Sequence, residues 1–455
     1  MTVSKDNWRT GLIDVWKKLD SSWRWALGGV LIASLFWGLW SSVILRIMPL
    51  AVNNTFLYNE PIFTAFNLQT SETYLYQRTV QDQLLSFRPV NPSTLMDFQS
   101  GSQWDLESGR AVEGALMGEV LKKSTISAED IFPYQGVKAH QNPRLAIWQR
   151  FDTNWYLKIA ERGYSNDGST AFFPIYPFLV RLFAFVVKDV VLASRLVALL
   201  ALIAALALFY KIATEYADRT VANRAILYWL IFPTAFFLFA SYTESSYLLF
   251  ILASFFYARR KKWIGAAVFG ILAALTRIVG FTIFIPLLYM WWVQNRPRRW
   301  RDAFAILLIP IVTGIYLLPT LQSSLLPGQW HPRLVFPWEH FSELGILITN
   351  HLVSSIDIFN TLATILFGVL CIIIFWKMPL ELGFYSVLMF IPSLLRLNPG
   401  QPFVSMMRYV LVIFPAFILL GKWGEKIWVN RAIVYLSFPL ALYFSAQFWL
   451  WGWVG

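Results

Sequence analysis

The residues best suited to chemistry lie in one run, Trp148-Gln149-Arg150-Phe151-Asp152-Thr153-Asn154-Trp155-Tyr156-Leu157-Lys158-Ile159-Ala160-Glu161-Arg162-Gly163-Tyr164. Asp152 reads as the start of a short helix, with Trp155, Tyr156 and Ile159 sharing a face and Gly163 as its C-cap. Two roles stay open for this carboxylate. It can be an N-cap that satisfies the free amides of Asn154 or Trp155. It can equally be a general base that takes a proton from an alcohol, beside aromatic rings that stack on a sugar.

Further along stand Ala171-Phe172-Phe173-Pro174-Ile175-Tyr176-Pro177, then Phe232-Pro233-Thr234-Ala235-Phe236-Phe237, then Tyr242-Thr243-Glu244-Ser245. The first reads as an interfacial aromatic belt broken by prolines. Glu244 opens a helix, where it complements the dipole, yet an acid at that depth is costly unless it faces water or a partner. Arg277, in Leu275-Thr276-Arg277-Ile278-Val279-Gly280, and Arg408, in Ser405-Met406-Met407-Arg408-Tyr409, are basic where their surroundings are not. They either snorkel to headgroups or clamp an anionic lipid phosphate, which a planar guanidinium recognises well. His331, His340 and His351 share an outer loop, but their spacings of nine and eleven fit no usual ligand pattern. No metal site is expected. The sequence has no Gly-rich phosphate loop and no Asp-x-Asp pair at Asp152, so a metal-held nucleotide sugar is disfavoured, and no cofactor is implied.

The elements that must position these residues are membrane helices. Hydrophobic residues make up 57 % of the chain, charged residues 14 %, and the mean hydropathy is +0.53. Soluble domains carry about 25 % charged residues, so lipid must serve as solvent here. The single cysteine, Cys371, allows neither a disulfide framework nor a Cys/His zinc cluster. The net charge of +12 comes from basic residues clustered between spans, which points to orientation and not to nucleic acid.

Hydropathy divides the chain into an amphipathic cytoplasmic helix over 1–25, a first span over 26–48, an extracytoplasmic inserted region over 49–147, and a motif loop with an interfacial helix over 148–187. A bundle over 188–455 follows, with an outer loop over 320–354. The spans after the first read as Val190–Ile212, Ala222–Ser241, Thr243–Ala258, Trp263–Thr276, Ile278–Gln294, Asp302–Pro319, Ser355–Trp376, Leu380–Arg396, Met406–Gly421 and Ala432–Trp451. That makes about eleven spans in an all-α polytopic membrane protein. Within the inserted region an amphipathic helix is expected around Glu113–Lys123. The connectors Arg259–Lys262, Arg296–Arg301 and Lys422–Arg431 are basic, whereas the alternate connectors are almost free of Lys and Arg. This places the N-terminus in the cytoplasm and the inserted region, Asp152, Glu244, Arg277 and Arg408 outside.

Trp148–Tyr164 with Ala171–Pro177 resembles the first extracytoplasmic motif of the second GPI mannosyltransferase (PIG-V) family and its prokaryotic relatives. That motif is a Trp-Asp pair or close variant, an aromatic helix, Gly-Tyr, and a Phe-Phe-Pro-x-Tyr-Pro run. The blocks at Phe232–Phe237, Tyr242–Ser245, Leu275–Gly280 and Ser405–Tyr409 are similar to its later motifs, in the same order. The resemblance implies a GT-C type bundle, a polyprenyl-phosphate sugar as lipid-linked donor, and mannose as the sugar. It implies Asp152 as the catalytic aspartate and sets Glu244 and Arg408 on motif positions. Two departures stand out. Phe151 occupies the place of the usual Trp, and about a hundred residues are inserted ahead of the motif.

The expected function is therefore sugar transfer from a polyprenyl-phosphate donor to an acceptor hydroxyl outside the cytoplasm. Asp152 serves as base, Arg408 and Arg277 face the leaving phosphate, and Trp155, Tyr156, Phe173, Tyr409 and Glu244 line the substrate site. The partners are the lipid-linked donor, an acceptor glycolipid or protein, and membrane lipids, with no nucleic acid. A prokaryotic plasma membrane is the expected location, the endoplasmic reticulum the alternative. The competing function is a lipid or glycolipid flippase without covalent chemistry; a third is an assembly subunit presenting its outer region to a partner.

Overall fold

The computed structural model describes residues 19–57, 60–70, 72–123, 136–165, 167–294, 299–322, 333–398 and 400–454. Most of the expected N-terminal surface helix, together with His331, Trp330, Arg296 and Arg298, lies outside them. The first described helix, α1, runs Ser21–Ile47 and starts where Asp20 accepts from the amide of Ser22. Strands β1 (Leu50–Leu57), β2 (Glu60–Asn67), β3 (Thr73–Gln77), β4 (Thr79–Val80), β5 (Gln83–Leu84), β6 (Phe87–Asn91), β7 (Thr94–Asp97), β8 (Gln103–Asp105) and β9 (Ala111–Glu113) follow. The helices then take over: α2 (Pro143–Ala146), α3 (Asp152–Arg162), α4 (Ile175–Val187), α5 (Val190–Tyr216), α6 (Arg219–Leu230), α7 (Phe236–Phe239), α8 (Glu244–Arg259), α9 (Trp263–Ala274), α10 (Phe284–Gln294) and α11 (Trp300–Gln322). The remainder is β10 (Arg333–Leu334), α12 (Pro337–Thr349), α13 (Ser355–Lys377), α14 (Leu380–Leu394), β11 (Arg396–Leu397), α15 (Met406–Tyr409), α16 (Phe414–Trp423) and α17 (Ile427–Trp449).

Five of the described helices are long and apolar enough to cross a membrane: α1, α5, the stretch Trp300–Leu318 of α11, α13 and α17. A sixth span results if Met406–Val412 and α16 count as one, though they meet at 83°. Of the other expected spans, α8, α9 and α14 keep close to their expected bounds as shorter helices, whereas Ala222–Ser241 and Met406–Gly421 are broken. The segment expected over Ala222–Ser241 stops at Leu230 and turns through Pro233 before the four-residue α7. The 83° bend falls at Ile413, ahead of Pro415, and the Tyr385 hydroxyl donates to the Val412 carbonyl at 2.7 Å there. The mostly helical, multi-spanning character of the chain carries over from the sequence, with five or six spans by length and composition among the described residues and further shorter apolar helices beside them.

The inserted region corrects the all-α expectation. It holds an antiparallel three-stranded sheet, β1-β2-β3, and a four-stranded sheet, β6-β7-β8-β9. Phe63, Ala65, Tyr76, Phe87, Leu95 and Trp104 are buried between them as a separate small core. Alternation builds it: Leu95 and Asp97 point inward, Thr94 and Met96 less so. No helix forms over Glu113–Lys123. Gly114 and Gly118 take φ of 94° and 93°, outside helical space, and Leu116 and Leu121 turn into the small core. Asp97 is fully buried and locally satisfied. It accepts from the amides of Ser86, Gln99 and Ser100 at 2.8, 3.2 and 2.7 Å, and from the Ser100 hydroxyl at 2.8 Å. Phe66 on β2 stacks on Trp451 at 4.7 Å, tying this cap to the far end of the chain.

The expected outer loop contains α12. His340 on it is fully buried, with Nδ1 accepting from the Phe403 amide at 3.0 Å and Nε2 bonded to the Leu394 carbonyl at 3.1 Å. Both ring nitrogens are committed to backbone, so this histidine holds a loop in place.

Candidate active site

Four charged side chains from four separate segments form one unbroken line. Arg408 donates from Nη1 to Asp152 Oδ2 at 2.8 Å and from Nε to Glu244 Oε1 at 2.6 Å. Arg277 Nη1 reaches the same Glu244 oxygen at 2.5 Å and the Thr243 hydroxyl at 3.3 Å. The two ends are reachable and the middle is covered. Side-chain exposure is 16 % for Asp152 and 15 % for Arg277, against 5 % for Arg408 and 0 % for Glu244. Charges alternate along the line, so each is compensated by a neighbour in a setting where an unpaired ion would be costly.

Local sequence explains each placement. Phe151 sits at φ 48° and ψ −118°, a conformation that a non-glycine residue adopts only under constraint. Its ring is wedged among Phe448, Trp451 and Trp453, with centroids 5.0–5.8 Å away. The preceding Arg150 is buried, donating to the carbonyls of Trp449 at 2.9 Å and Ala146 at 2.7 Å, and its Cζ lies 4.4 Å from the Trp451 ring centroid. These contacts aim α3 so that Asp152 leaves its backbone and meets Arg408. No side chain caps α3, so the N-cap role considered for Asp152 is not the one it plays.

Arg408 follows Ser405, which takes φ of 65°. The peptide of Met407 beside it is held on both faces, by Asn360 Oδ1 accepting from its amide at 3.0 Å and by the Thr234 hydroxyl donating to its carbonyl at 2.7 Å. The Arg408 guanidinium lies over the rings of Tyr242 and Phe237, 4.5 and 5.1 Å from their centroids. Arg277 stands between α9 and the 3-10 turn Ile278–Ile283. A Cβ on Gly280 would come within 2.6 Å of the Ala273 carbonyl, so only glycine lets the chain fold back that closely. The Leu275 carbonyl accepts from the Ile175 amide at 3.2 Å, joining this turn to the Phe172–Pro177 run.

The sequence-derived residues thus divide. Asp152, Glu244, Arg277 and Arg408 converge, and the two arginines do not snorkel. Tyr409 lies beside Arg277, whose Cζ is 5.6 Å from its ring centroid. Tyr156 packs on Tyr242, 6.3 Å between centroids, and so supports the ring beneath Arg408. Trp155 and Phe173 make their ring contacts elsewhere, with Phe172 at 5.5 Å and with Tyr316 at 5.3 Å. Sequence reasoning passed over Asn360, whose signal was an amide inside an apolar span, and the Arg150–Trp449 contact, which had none.

Lys158, one turn along α3, pairs with Asp167; hydrogen bonds from the Ser165 hydroxyl and the Ser169 amide also reach that carboxylate. Although burial pushes Asp167 up, the Lys158 and serine hydrogen bonds hold it down at about 2. The loop that follows the motif helix is therefore pinned while the site's own carboxylates stay with the arginines.

A carboxylate and two guanidiniums joined in one line, with both ends partly exposed, fit the transfer of a group from a phosphate to a hydroxyl. Comparison with known families bears on the kind of transfer. Residues 126–319 match the model of the mannosyltransferase (PIG-V) family. The matched segment holds Asp152, Glu244 and Arg277, while Arg408 lies beyond it and is brought in by the fold. No curated protein matches the chain. The PIG-V match supports a glycosyltransferase, and a mannosyltransferase by its family. It also implies a lipid-linked sugar donor in a membrane setting, in keeping with the apolar helices of an integral membrane protein.

Proposed function

We propose that this protein transfers mannose, with inversion, from a polyprenyl-phosphate donor to an acceptor hydroxyl on the non-cytoplasmic face of a prokaryotic plasma membrane. The acceptor oxygen attacks the anomeric carbon as the bond from that carbon to the phosphate oxygen breaks. The hydroxyl proton goes to Asp152, and the bonding pair leaves with the polyprenyl phosphate. The observation that carries this reading is the line Asp152–Arg408–Glu244–Arg277, which sets a carboxylate within one guanidinium's reach of further cations.

In this reading the two arginines take different parts. Arg408 commits Nε and Nη1 to carboxylates, so it holds Asp152 in place and reaches the phosphate with what remains. Among the described residues Arg277 commits only Nη1, and its side chain is more exposed than that of Arg408, which favours it as the main clamp on the phosphate. The middle of the line is buried and its donors are already oriented, so they act strongly on charge developing in the transition state.

Topology supports the outer face. The sixteen residues of α8 rise about 24 Å between Glu244 at one end and the basic connector Arg259–Lys262 at the other. Basic connectors mark the cytoplasmic side. With purified protein, polyprenyl-phosphate mannose and candidate acceptors, a new product gains the mass of one hexose. Asp152→Asn is expected to fold and insert while transfer falls at least about a hundredfold, the low end for general-base catalysis. Near-normal turnover in that variant removes the base. Movement of a labelled lipid without a new glycosidic bond would favour a flippase instead.

A further inference from the structure

One oxygen of the central carboxylate has no hydrogen-bond partner. Glu244 is fully buried, and its Oε1 takes both guanidiniums, yet among the described residues Oε2 accepts from nothing. An acceptor left empty inside a protein is costly, more so when it is charged. Such an atom is retained where something else completes it. The geometry points to a ligand hydroxyl, and we propose that Glu244 Oε2 reads one hydroxyl of the transferred sugar, making Glu244 a specificity residue for the donor. This rests on the reading above that the arginines hold the donor phosphate.

Position selects the donor sugar over the acceptor. The phosphate that Arg277 and Arg408 receive is bonded to the anomeric carbon, so the ring hydroxyls lie within one sugar's width of both guanidiniums. Oε2 belongs to the carboxylate clamped between them. The acceptor hydroxyl is drawn to Asp152, at the far end of Arg408. Access runs past Arg277, one of the two ends of the line that reach solvent, whose bond to the Thr243 hydroxyl is its weaker one at 3.3 Å. A carboxylate accepts only, so the sugar hydroxyl must be the donor.

The test uses donors in which single hydroxyls of the mannosyl group are replaced by hydrogen or by fluorine, assayed on the wild-type protein. One position is expected to lower kcat/KM by at least about a hundredfold, since a site built to bond a hydroxyl rejects the analogue that lacks it. Fluorine at that position should be no better than hydrogen, because fluorine cannot donate. In Glu244→Gln, whose own defect is measured with the unmodified donor, the same deoxy donor should add a further loss of less than about threefold, a non-additivity that marks direct contact. Equal tolerance of every deoxy donor, recovery with fluorine, or additive losses in Glu244→Gln would each overturn the proposal. Should Glu244→Gln fail to fold, the hydrogen and fluorine series on the wild type still decides. The broader reading is tested separately: if Asp152→Asn abolishes transfer while no deoxy donor is discriminated, the enzyme stands and the role of Glu244 falls.

Discussion

Two buried carboxylates, one in the cap and one in the helical body, are solved in opposite ways. Asp97 is served entirely by its own neighbourhood, with every donor within eleven residues and both oxygens occupied. Glu244 is served by guanidiniums 33 and 164 residues away, and only one of its oxygens is used. A carboxylate that shapes a turn can be satisfied locally and completely. One that organises a reaction must gather distant segments and keep something in reserve. Asp152, held by an arginine 256 residues distant, follows the second pattern.

That contrast can be broken by substitution, and the largest effect belongs to Glu244. Glu244→Ala leaves Arg277 without a carboxylate and Arg408 with Asp152 alone, and should cost about 3–5 kcal/mol, the usual result of removing one partner from a buried ion pair. The shift of the unfolding transition in detergent micelles measures it; a shift below about 1 kcal/mol, the worth of a surface pair, would show that the line is no structural keystone. Next comes Asp152→Asn, whose hundredfold loss of transfer corresponds to about 2.7 kcal/mol in the barrier. Its unfolding transition should stay near that of the wild type, because Arg408 keeps Glu244. Equal losses in stability and activity would erase the distinction between anchor and base.

Asp97→Ala is smaller and local. It orphans the amides that the carboxylate serves, costing about 1–3 kcal/mol, and hydrogen exchange should quicken within 50–123 while α5 and α8 remain protected. Exchange that quickens in those helices as well would mean that the cap and the body unfold as one.

The mildest effect is that of acid on the same carboxylate. Burial pushes Asp97 up, but the hydrogen bonds from the Ser86, Gln99 and Ser100 amides and the Ser100 hydroxyl outweigh it and hold the group below its ordinary 3.8. A carboxyl whose folded value is depressed contributes stability above the unfolded value and loses it as pH falls through the folded one. Cap opening, read from exchange rates corrected for the intrinsic pH dependence of amide exchange, should therefore be flat from about pH 7 to about 5 and rise only below about 4. In Asp97→Asn that acid response should vanish; if it persists, another group is titrating.

How much of this was legible in the sequence follows from range and period. The long apolar helices were legible, because some twenty consecutive residues such as those of α5 carry the signal by themselves. Asp152, Glu244, Arg277 and Arg408 were legible as types, since acids and arginines at the edges of apolar runs are costly enough to demand a reason. Their contacts were not, because nothing local couples residues so far apart. The cap misled for another reason. Its strands are two to eight residues long, and most turn one face to solvent, so Leu116, Val120 and Leu121 could pass for a helical stripe when two glycines forbid one. Hydropathy marks the break at Arg277 between α9 and α10, but not the close approach of Gly280 to the Ala273 carbonyl that shapes it.

The socket around Phe151 has a consequence for biogenesis. Arg150 bonds to the Trp449 carbonyl, a contact that closes over 299 residues. Translation at about 5–20 residues per second puts roughly 15–60 s between the emergence of one partner and the other. Through that interval the segment bearing Asp152 has already left the ribosome with its aromatic seat still unmade. The nascent protein is thus a bundle without a working centre, and donor lipids in the surrounding bilayer meet a competent site only once the closing stretch of aromatic residues has docked.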